Sequence, residues 1–376
     1  MKIVFVSNYF NHHQKPFCDE MYKRLGSDFF FISTSEMREE RKKLGYSQGV
    51  LPSYVHISYE NNEKRSCAMK LINEADVVIA GACPNVMLVD RIRSKKLLLR
   101  YSERPFKKEM SFAKLVYHAI NLRRKNLFSN KVYMLCASAY TASDYTNIGM
   151  YKNRMYKWGY FPSIKEYDIE TLISNKSRNT ILWCGRFIDW KHPDDAIKVA
   201  SKLKAEGYSF NLNMIGTGVM EKELKQMVAD MGLNDVVHFL GSMSPDDVRK
   251  HMENAAIYLF TSDRQEGWGA VLNESMNSAC AVVASNEIGS VPFLLQNKVN
   301  GIVYPFGDNE KLLEEIKNLL DNIDEQTCYG EKAYTTMLSV WNAENAAVRI
   351  INLTKALISN REDNLYEDGP CSSAMV

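Results

Sequence analysis

The stretch Leu259-Phe260-Thr261-Ser262-Asp263-Arg264-Gln265-Glu266-Gly267-Trp268-Gly269-Ala270-Val271-Leu272-Asn273-Glu274 is an apolar run that stops at a polar loop, two glycines around a tryptophan, and a helix-compatible segment. It reads as a strand, a loop and a helix start. Gly267 and Gly269 let backbone amides come close to a ligand, and the free N–H groups of a helix start favour an anion such as a diphosphate. Glu266 sits in the loop, while Glu274 is expected about five residues into the helix, roughly 7 Å along its axis. Two carboxylates so placed suit grips on different parts of one ligand around a central phosphate. The same spacing also suits a capping or solvated pair at a helix start.

Outward from this stretch, the second half of the chain repeats the unit. Strands are expected over 180–184, 210–215, 236–240, 281–284 and 301–304, with helices over 194–206, 220–231 and 245–255. Gly185-Arg186-Phe187-Ile188-Asp189-Trp190-Lys191 follows the first of these strands. Arginine can hold two phosphate oxygens in a fork and lysine adds a point charge, so Arg186 and Lys191 together suit a diphosphate; a solvated loop would carry the same residues. This loop and the Glu266 loop both end strands on one edge of a sheet. Gly216-Thr217-Gly218 is a third glycine loop on that edge. Neither it nor the first loop of the chain, Asn8-Tyr9-Phe10-Asn11-His12-His13-Gln14, carries G-x-G-x-x-G, so hydride transfer has little support.

The first half alternates in the same way. Strands are expected over 2–7, 29–33, 75–81, 96–101 and 132–137, with helices over 16–25 and 86–94 and a helix or surface loop over the charged segment 36–43. Ser102-Glu103-Arg104-Pro105 forms a polar loop after one of the strands. Residues 107–125 mix Lys107, Lys108, Lys114, Arg123, Arg124 and Lys125 with Phe112, Leu115, Val116, Tyr117, Ile120 and Leu122. A basic amphipathic helix of this kind suits an anionic membrane surface as well as an ordinary protein surface. His118 on it reads as a packing or surface histidine. Strand alternating with helix places the chain in the α/β class, with parallel sheets covered on both faces. The polar stretch from Gly159 to Arg178 has the composition of a linker. It divides an amino-terminal domain, 1–163, from a carboxyl-terminal domain, 178–340, with a cleft expected between them. A late helix over 342–358 is free to pack on either half, including back on the first. The polar end, 360–376, is expected to form a flexible tail.

A length of 376 residues suggests two domains, and 45% hydrophobic with 24% charged residues fits a folded globular chain. With 47 basic against 45 acidic residues, no global charge argues for nucleic acid, and any basic function is local. The 8 cysteines are scattered without a C-x-x-C pair or zinc-type spacing, which suits reduced cytoplasmic thiols. No secretory leader or uninterrupted apolar run of about 18 residues is present, so a cytoplasmic location is expected.

The ordered set of Gly185-Arg186 to Lys191, Ile215-Gly216-Thr217-Gly218, Phe239-Leu240-Gly241 after a strand, and an E-x7-E pattern at Glu266 and Glu274 resembles the GT-B glycosyltransferases. The resemblance is to the large retaining family of group 1, or family 4, type, with sucrose synthase-like and mannosyltransferase-like members. It covers most of 180–320, and the first half in outline. It implies two Rossmann-like parallel-sheet domains facing a central cleft, with acceptor bound by the first and nucleotide-sugar donor by the second. It further implies that Arg186 and Lys191 bind the donor diphosphate and stabilise the charge growing on it. Glu274 would hold the ribose and Glu266 the sugar hydroxyls. Main chain at Gly267, Trp268, Gly269 and Ala270 would meet phosphate or sugar, with Gly185, Gly216 and Thr217 also at the donor and Leu240 at the base edge. No metal or other cofactor is expected. Retention would proceed as a same-face displacement in which the leaving phosphate accepts the acceptor's proton.

Three features depart from the family pattern. Its first loop often has a glycine pair and a later strand a histidine; here His12 and His13 occupy the first loop and Ser102-Glu103-Arg104 the approximate histidine place. His12, His13, Glu103 and Arg104 are therefore the acceptor-side candidates. The family's G-G-x-x-E is replaced by Gly289-Ser290-Val291-Pro292-Phe293, without its glutamate. The resulting expectation is a UDP-sugar-dependent retaining transferase acting on a glycan or lipid-linked glycan in surface polysaccharide synthesis, peripheral on the inner membrane face. The alternatives are a nucleotide-sugar epimerase of the same fold and a non-catalytic nucleotide-sugar binding protein.

Overall fold

A computed structural model of the chain describes residues 1–37, 50–108, 110–361 and 365–374, which leaves 38–43 of the charged segment outside the described residues. One sheet contains β1 (Ile3–Ser7), β2 (Phe29–Ser33), β3 (Val55–Ile57), β4 (Val77–Ala80), β5 (Leu97–Ser102), β6 (Val132–Cys136) and β7 (Met155–Lys157). A second contains β8 (Ser177–Cys184), β9 (Asn211–Ile215), β10 (Val237–Gly241), β11 (Ala255–Phe260), β12 (Ala281–Ser285) and β13 (Ile302–Tyr304). Pairing within each sheet is parallel. That arrangement explains why β1, β6, β11 and β12 are buried along their whole length: helices cover both faces.

The spatial orders are β3-β2-β1-β4-β5-β6-β7 and β10-β9-β8-β11-β12-β13. Each order reverses direction once, beside the first strand of its sheet: between β1 and β4, and between β8 and β11. In doubly wound sheets the crevice outside the carboxyl ends of the strands at that reversal is where ligands bind.

The chain forms two units, Met1–Ser163 with Trp341–Val376, and Ile164–Val340. In the first, the helix Ala343–Ile358 packs by Ala346, Ala347, Ile350 and Ile351, which are buried, and lies against the helix Lys15–Leu25. The expectation of a flexible end over 360–376 is corrected for 369–374. Tyr156 pairs antiparallel with Ser373, Lys157 N–H donates to Ser372 O while its carbonyl accepts from Cys371 N–H, and Cys371 and Ala374 are buried. The segment is polar in composition but satisfies its backbone against β7, which composition alone does not reveal.

The second unit begins before the expected boundary at 178. Lys165 N–H donates to Asn277 Oδ1 at 2.9 Å and Asn277 Nδ2 returns a bond to the Lys165 carbonyl at 3.0 Å. Tyr167 N–H donates to the Tyr334 hydroxyl at 2.7 Å. The helix Ile169–Ser174, capped by Asp168, follows, and β8 starts at Ser177. The linker-like composition of 164–177 thus belongs to ordered chain.

Burial in the first unit includes one full cation. Arg91 is wholly buried, and its five N–H groups all donate to main-chain oxygens: Nε and Nη2 to Leu97, Nη1 to Ile72 and Ala75, and Nη2 to Asp76, at 2.6–3.0 Å. It ties the end of the helix Asn62–Glu74 to the start of β5, so a fork of donors replaces backbone pairing. Arg91→Met would bury several unpaired carbonyls, and we expect it to cost roughly 3 kcal/mol or more in urea unfolding.

Candidate functional site

The loops after β8 and β11 flank the reversal in the second sheet. The first is held by backbone. Gly185 N–H donates to Ile215 O at 3.0 Å, Phe187 N–H to Thr217 O at 2.9 Å, and Met220 N–H to Phe187 O at 3.1 Å. The two loops lie so close that a Cβ on Gly216, whose φ is +138°, would fall 1.8 Å from Gly185 O, and one on Gly218 would fall 2.2 Å from Phe187 O. Only glycine permits this approach. Thr217 is left exposed at its tip, while Gly216 N–H donates to Gly241 O at 2.8 Å, which joins the turn to β10 beyond Leu240.

Lys191 and Glu266 meet in an ion pair, with side chains 12% and 11% exposed. Seventy-five residues apart in sequence, they are brought together because β8 and β11 are neighbours. The pair is braced on each side. Thr261 Oγ1 accepts the Trp183 indole N–H at 2.9 Å and lies 2.7 and 2.9 Å from the carbonyls of Lys191 and His192. Asp263 N–H donates to Trp190 O, Glu266 N–H to Asp263 O, and Gly289 N–H to Glu266 O. His192, in the left-handed region at φ 47°, sets its Nε2 3.4 Å from Asp263 Oδ2. The Trp190 ring carries both cations of this loop, with Lys191 Nζ 5.0 Å and Arg186 Cζ 5.5 Å from its centroid. Arg186 is exposed and makes no ion pair among the described residues.

The Glu266 loop continues into the helix Val271–Asn277. Glu274 is its fourth residue, one position earlier than the sequence suggests. Burial pushes its carboxyl above the usual range, with Arg249 opposing, and no hydrogen bond to that carboxyl occurs among the described residues. Trp268 is fully buried, its indole N–H donating to Asn273 Oδ1 at 2.9 Å and its carbonyl accepting from Ser290 Oγ at 2.6 Å. Its side chain is therefore internal, and only its main chain is left for a ligand. Gly269 has φ +82° and sits where a Cβ would be 2.4 Å from the Phe260 ring. Gly267 and Ala270 complete the turn between strand and helix.

The acceptor-side candidates all lie in the first unit. His12 and His13 follow β1 at the reversal of the first sheet, their ring centroids 4.0 Å apart, with His13 stacked on Tyr160 at 6.0 Å. Burial lowers the His12 pKa. Glu103 accepts from the Tyr160 hydroxyl at 2.7 Å and pairs with Lys107 at 2.8 Å. Arg104 sits apart from this group. It is buried, forks onto Asp144 at 3.1 and 3.3 Å, and packs over the Tyr140 ring, so its guanidinium is spent on an internal tie. Among the described residues no group of His, Cys, Asp and Glu side chains could hold a metal ion.

Trp190, Thr261, Asp263 and Ser290 shape the site without having stood out in the sequence. Trp190 lies inside the quoted Gly185-to-Lys191 motif, but nothing in its spacing marks it as a platform. Thr261 and Ser290 act on residues 22 or more positions away, so no local pattern could identify them.

Residues 165–336 match the family described as glycosyl transferases group 1. Among curated relatives, the chain is 31% identical over 137 residues to the amylovoran biosynthesis glycosyltransferase AmsK of Erwinia amylovora, covering 35% of this chain and 33% of that protein. It is 28% identical over 150 residues to the O-antigen chain mannosyltransferase C of Escherichia coli, covering 39% and 40%. These matches span only about a third to two fifths of the relatives' own length. In fold, the chain resembles Anabaena Alr3699/HepE solved in complex with UDP, with a TM-score of 0.72 at 17% identity over 95% of this chain and 100% of that one. It also resembles the lipopolysaccharide outer core galactosyltransferase WaaB, with a TM-score of 0.67 at 14% identity over 96% and 100%. The fold is that of the GT-B glycosyltransferases, and residues 165–336, nearly all of the second unit, match the model of the glycosyl transferases group 1 family.

Proposed function

We propose that the chain is a retaining, metal-independent glycosyltransferase that moves a sugar from a UDP-sugar to a glycan or lipid-linked glycan, in the synthesis of a surface polysaccharide at the inner membrane face. The observation that carries this reading is the Lys191–Glu266 pair at the strand reversal of a group 1 glycosyltransferase domain, with the unpaired Arg186 beside it. Lys191 and Glu266 neutralise one another; an arriving diphosphate competes for Lys191 and frees Glu266 for sugar hydroxyls. Arg186 supplies the forked contact. Charge grows on the diphosphate as the glycosyl bond breaks, so cations fixed beside it act more strongly in the transition state than in the ground state. The leaving phosphate takes the acceptor's proton on the same face, leaving Glu266 to orient. Glu274 is suited to the ribose hydroxyls, which would replace the water its burial removes. The amylovoran and O-antigen chain names among the relatives favour this pathway, and the UDP held by a structural neighbour favours this donor over the GDP-mannose that other relatives' names print.

The deciding experiment is a screen of UDP-, GDP- and ADP-sugars by nucleotide release. UDP release with acceptor is the expected outcome; a dominant GDP signal would overturn the base, and donor isomerisation without transfer would favour an epimerase. Arg186→Ala and Lys191→Ala should each lower kcat roughly 10²–10³-fold, measured at saturating donor.

Glu274→Gln should separate stability from binding. The wild-type carboxyl has a folded pKa above its ordinary 4.5, so the folded state holds the extra proton and stability falls as pH rises from about 4.5 through the folded value. The glutamine variant should lose this slope and melt higher than wild type near neutral pH. Its donor affinity should fall roughly ten- to hundredfold by calorimetry, the worth of a charged hydrogen bond.

A further inference from the structure

Glu274 stands on the helix Val271–Asn277, whose 7 residues are too few to hold a direction of their own in water. What grips the two ends of this helix therefore sets where Glu274 points. At the front, the Trp268 indole donates to Asn273 Oδ1 at 2.9 Å. At the back the grip is Arg249, buried on the helix Pro245–Asn254. Its Nη1 faces three oxygens at the carbonyl end: Glu274 O at 3.2 Å, Asn277 Oδ1 at 2.8 Å and Ser278 Oγ at 3.5 Å. Ser278 adds its N–H and its hydroxyl to the same Glu274 carbonyl, at 3.0 and 2.9 Å. Asn277 is locked in turn, because its side chain exchanges two hydrogen bonds with the main chain of Lys165. The backbone that carries the carboxylate is thus fixed by a buried cation.

Hydrogen-bond donors alone would satisfy these oxygens without a charge. Burying a guanidinium is costly unless negative charge faces it. Here it meets the negative end of a helix and, beyond it, the Glu274 carboxyl, whose charged form burial disfavours and Arg249 favours. The other titratable groups that feel Glu274 are Cys184 at the end of β8 and Tyr258 in β11. Burial pushes the Cys184 thiol up to about 12 and the Tyr258 phenol well above its usual value, so both stay neutral around the carboxyl. Lys191 and Glu266, which act on Cys184 and Tyr258 respectively, neutralise each other. Glu253, on the same helix as Arg249, is taken up by Lys165 at 3.0 Å and by the Tyr167 hydroxyl at 2.5 Å.

We propose that Arg249 is a positioning residue of the donor site: it fixes the backbone from which Glu274 projects and lends that carboxyl the positive charge that keeps it an acceptor for ribose hydroxyls. This deepens the proposed function and rests on the ribose role given there to Glu274. The test is calorimetric binding of UDP-glucose across about pH 5–9, since a diphosphate esterified at both ends keeps its charge over that range. Wild-type affinity should fall as pH drops through the folded pKa of Glu274, and Glu274→Gln should remove this acid limb. Arg249→Gln should move the limb up by roughly one pH unit, which is a tenfold loss of affinity at a fixed pH within it. Arg249→Lys, which keeps the charge and loses the fork, should hold the limb in place while weakening binding about threefold at every pH. Asn277→Asp leaves the guanidinium in the fold and neutralises it at contact distance, so it should also raise the limb; it serves where Arg249→Gln does not fold. A limb unmoved by Arg249→Gln and by Asn277→Asp, or moved equally by Arg249→Lys, would overturn the inference while leaving the donor reading intact. Binding of neither UDP-glucose nor GDP-mannose to the wild type would overturn the donor reading and this inference with it.

Discussion

The architecture of the second unit depends on holding a lysine and a glutamate together out of water. Removing both charges from solvent is costly, and their attraction offsets that cost only when the geometry is fixed. Two loops from distant parts of the chain must therefore be positioned within a few tenths of an ångström. The neighbouring strands β8 and β11 supply the coarse placement. Thr261 supplies the fine one, since it holds the Trp183 indole and sits against the main-chain oxygens of Lys191 and His192. The bond from Gly289 N–H to Glu266 O closes the opposite side. Each of these ties is buried or half-buried, where a lost partner costs more than at the surface.

The same demand explains the glycines better than flexibility does. Gly216 and Gly218 lie against the carbonyls of Gly185 and Phe187 at distances that forbid a Cβ, so the turn after β9 presses on the turn after β8. Gly269 does the equivalent against Phe260 at the end of β11. Three strand ends are thereby drawn into one rim, at the reversal where helix-covered parallel sheets leave an open crevice. Arg186, Trp190 and Lys191 project from a loop with little freedom. Such rigidity suits electrostatic work on a phosphate, because fixed charges need no reorganisation when new charge appears.

Alternating apolar runs made the α/β class, both sheets and the order of the second-half elements legible, because buried parallel strands leave an almost continuous apolar signature. Arg186, Lys191, Glu266 and Glu274 were legible as cations and carboxylates in strand-end loops, and the family pattern supplied their grouping. Other features rested on partners far away in sequence. Residues 164–177 look like a linker until Asn277 and Tyr334 meet Lys165 and Tyr167. The end of the chain looks frayed until Ser372 and Cys371 pair with Lys157. Short elements such as β3 and β7 carry three residues each, too few for periodicity to declare itself. Arg104 illustrates the opposite error: its place in a polar loop suggests a ligand contact, whereas Asp144, forty residues later, takes it inward.

The first unit repeats the sheet but not the site. At its reversal stand histidines and tyrosines where the second unit has glycine turns and paired charges. Burial, reinforced by the Glu103 carboxylate, holds the Tyr101 and Tyr160 phenols well above their usual pKa. They consequently remain protonated donors at any physiological pH, and Tyr160 already gives its proton to a bond with Glu103. Burial also keeps His12 toward its neutral form. This rim offers hydrogen-bond donors and stacking faces beside one ion pair, Glu103 with Lys107. The two sheets, alike in topology, therefore present chemically different rims, and the difference lies in the few residues at and just beyond the strand ends.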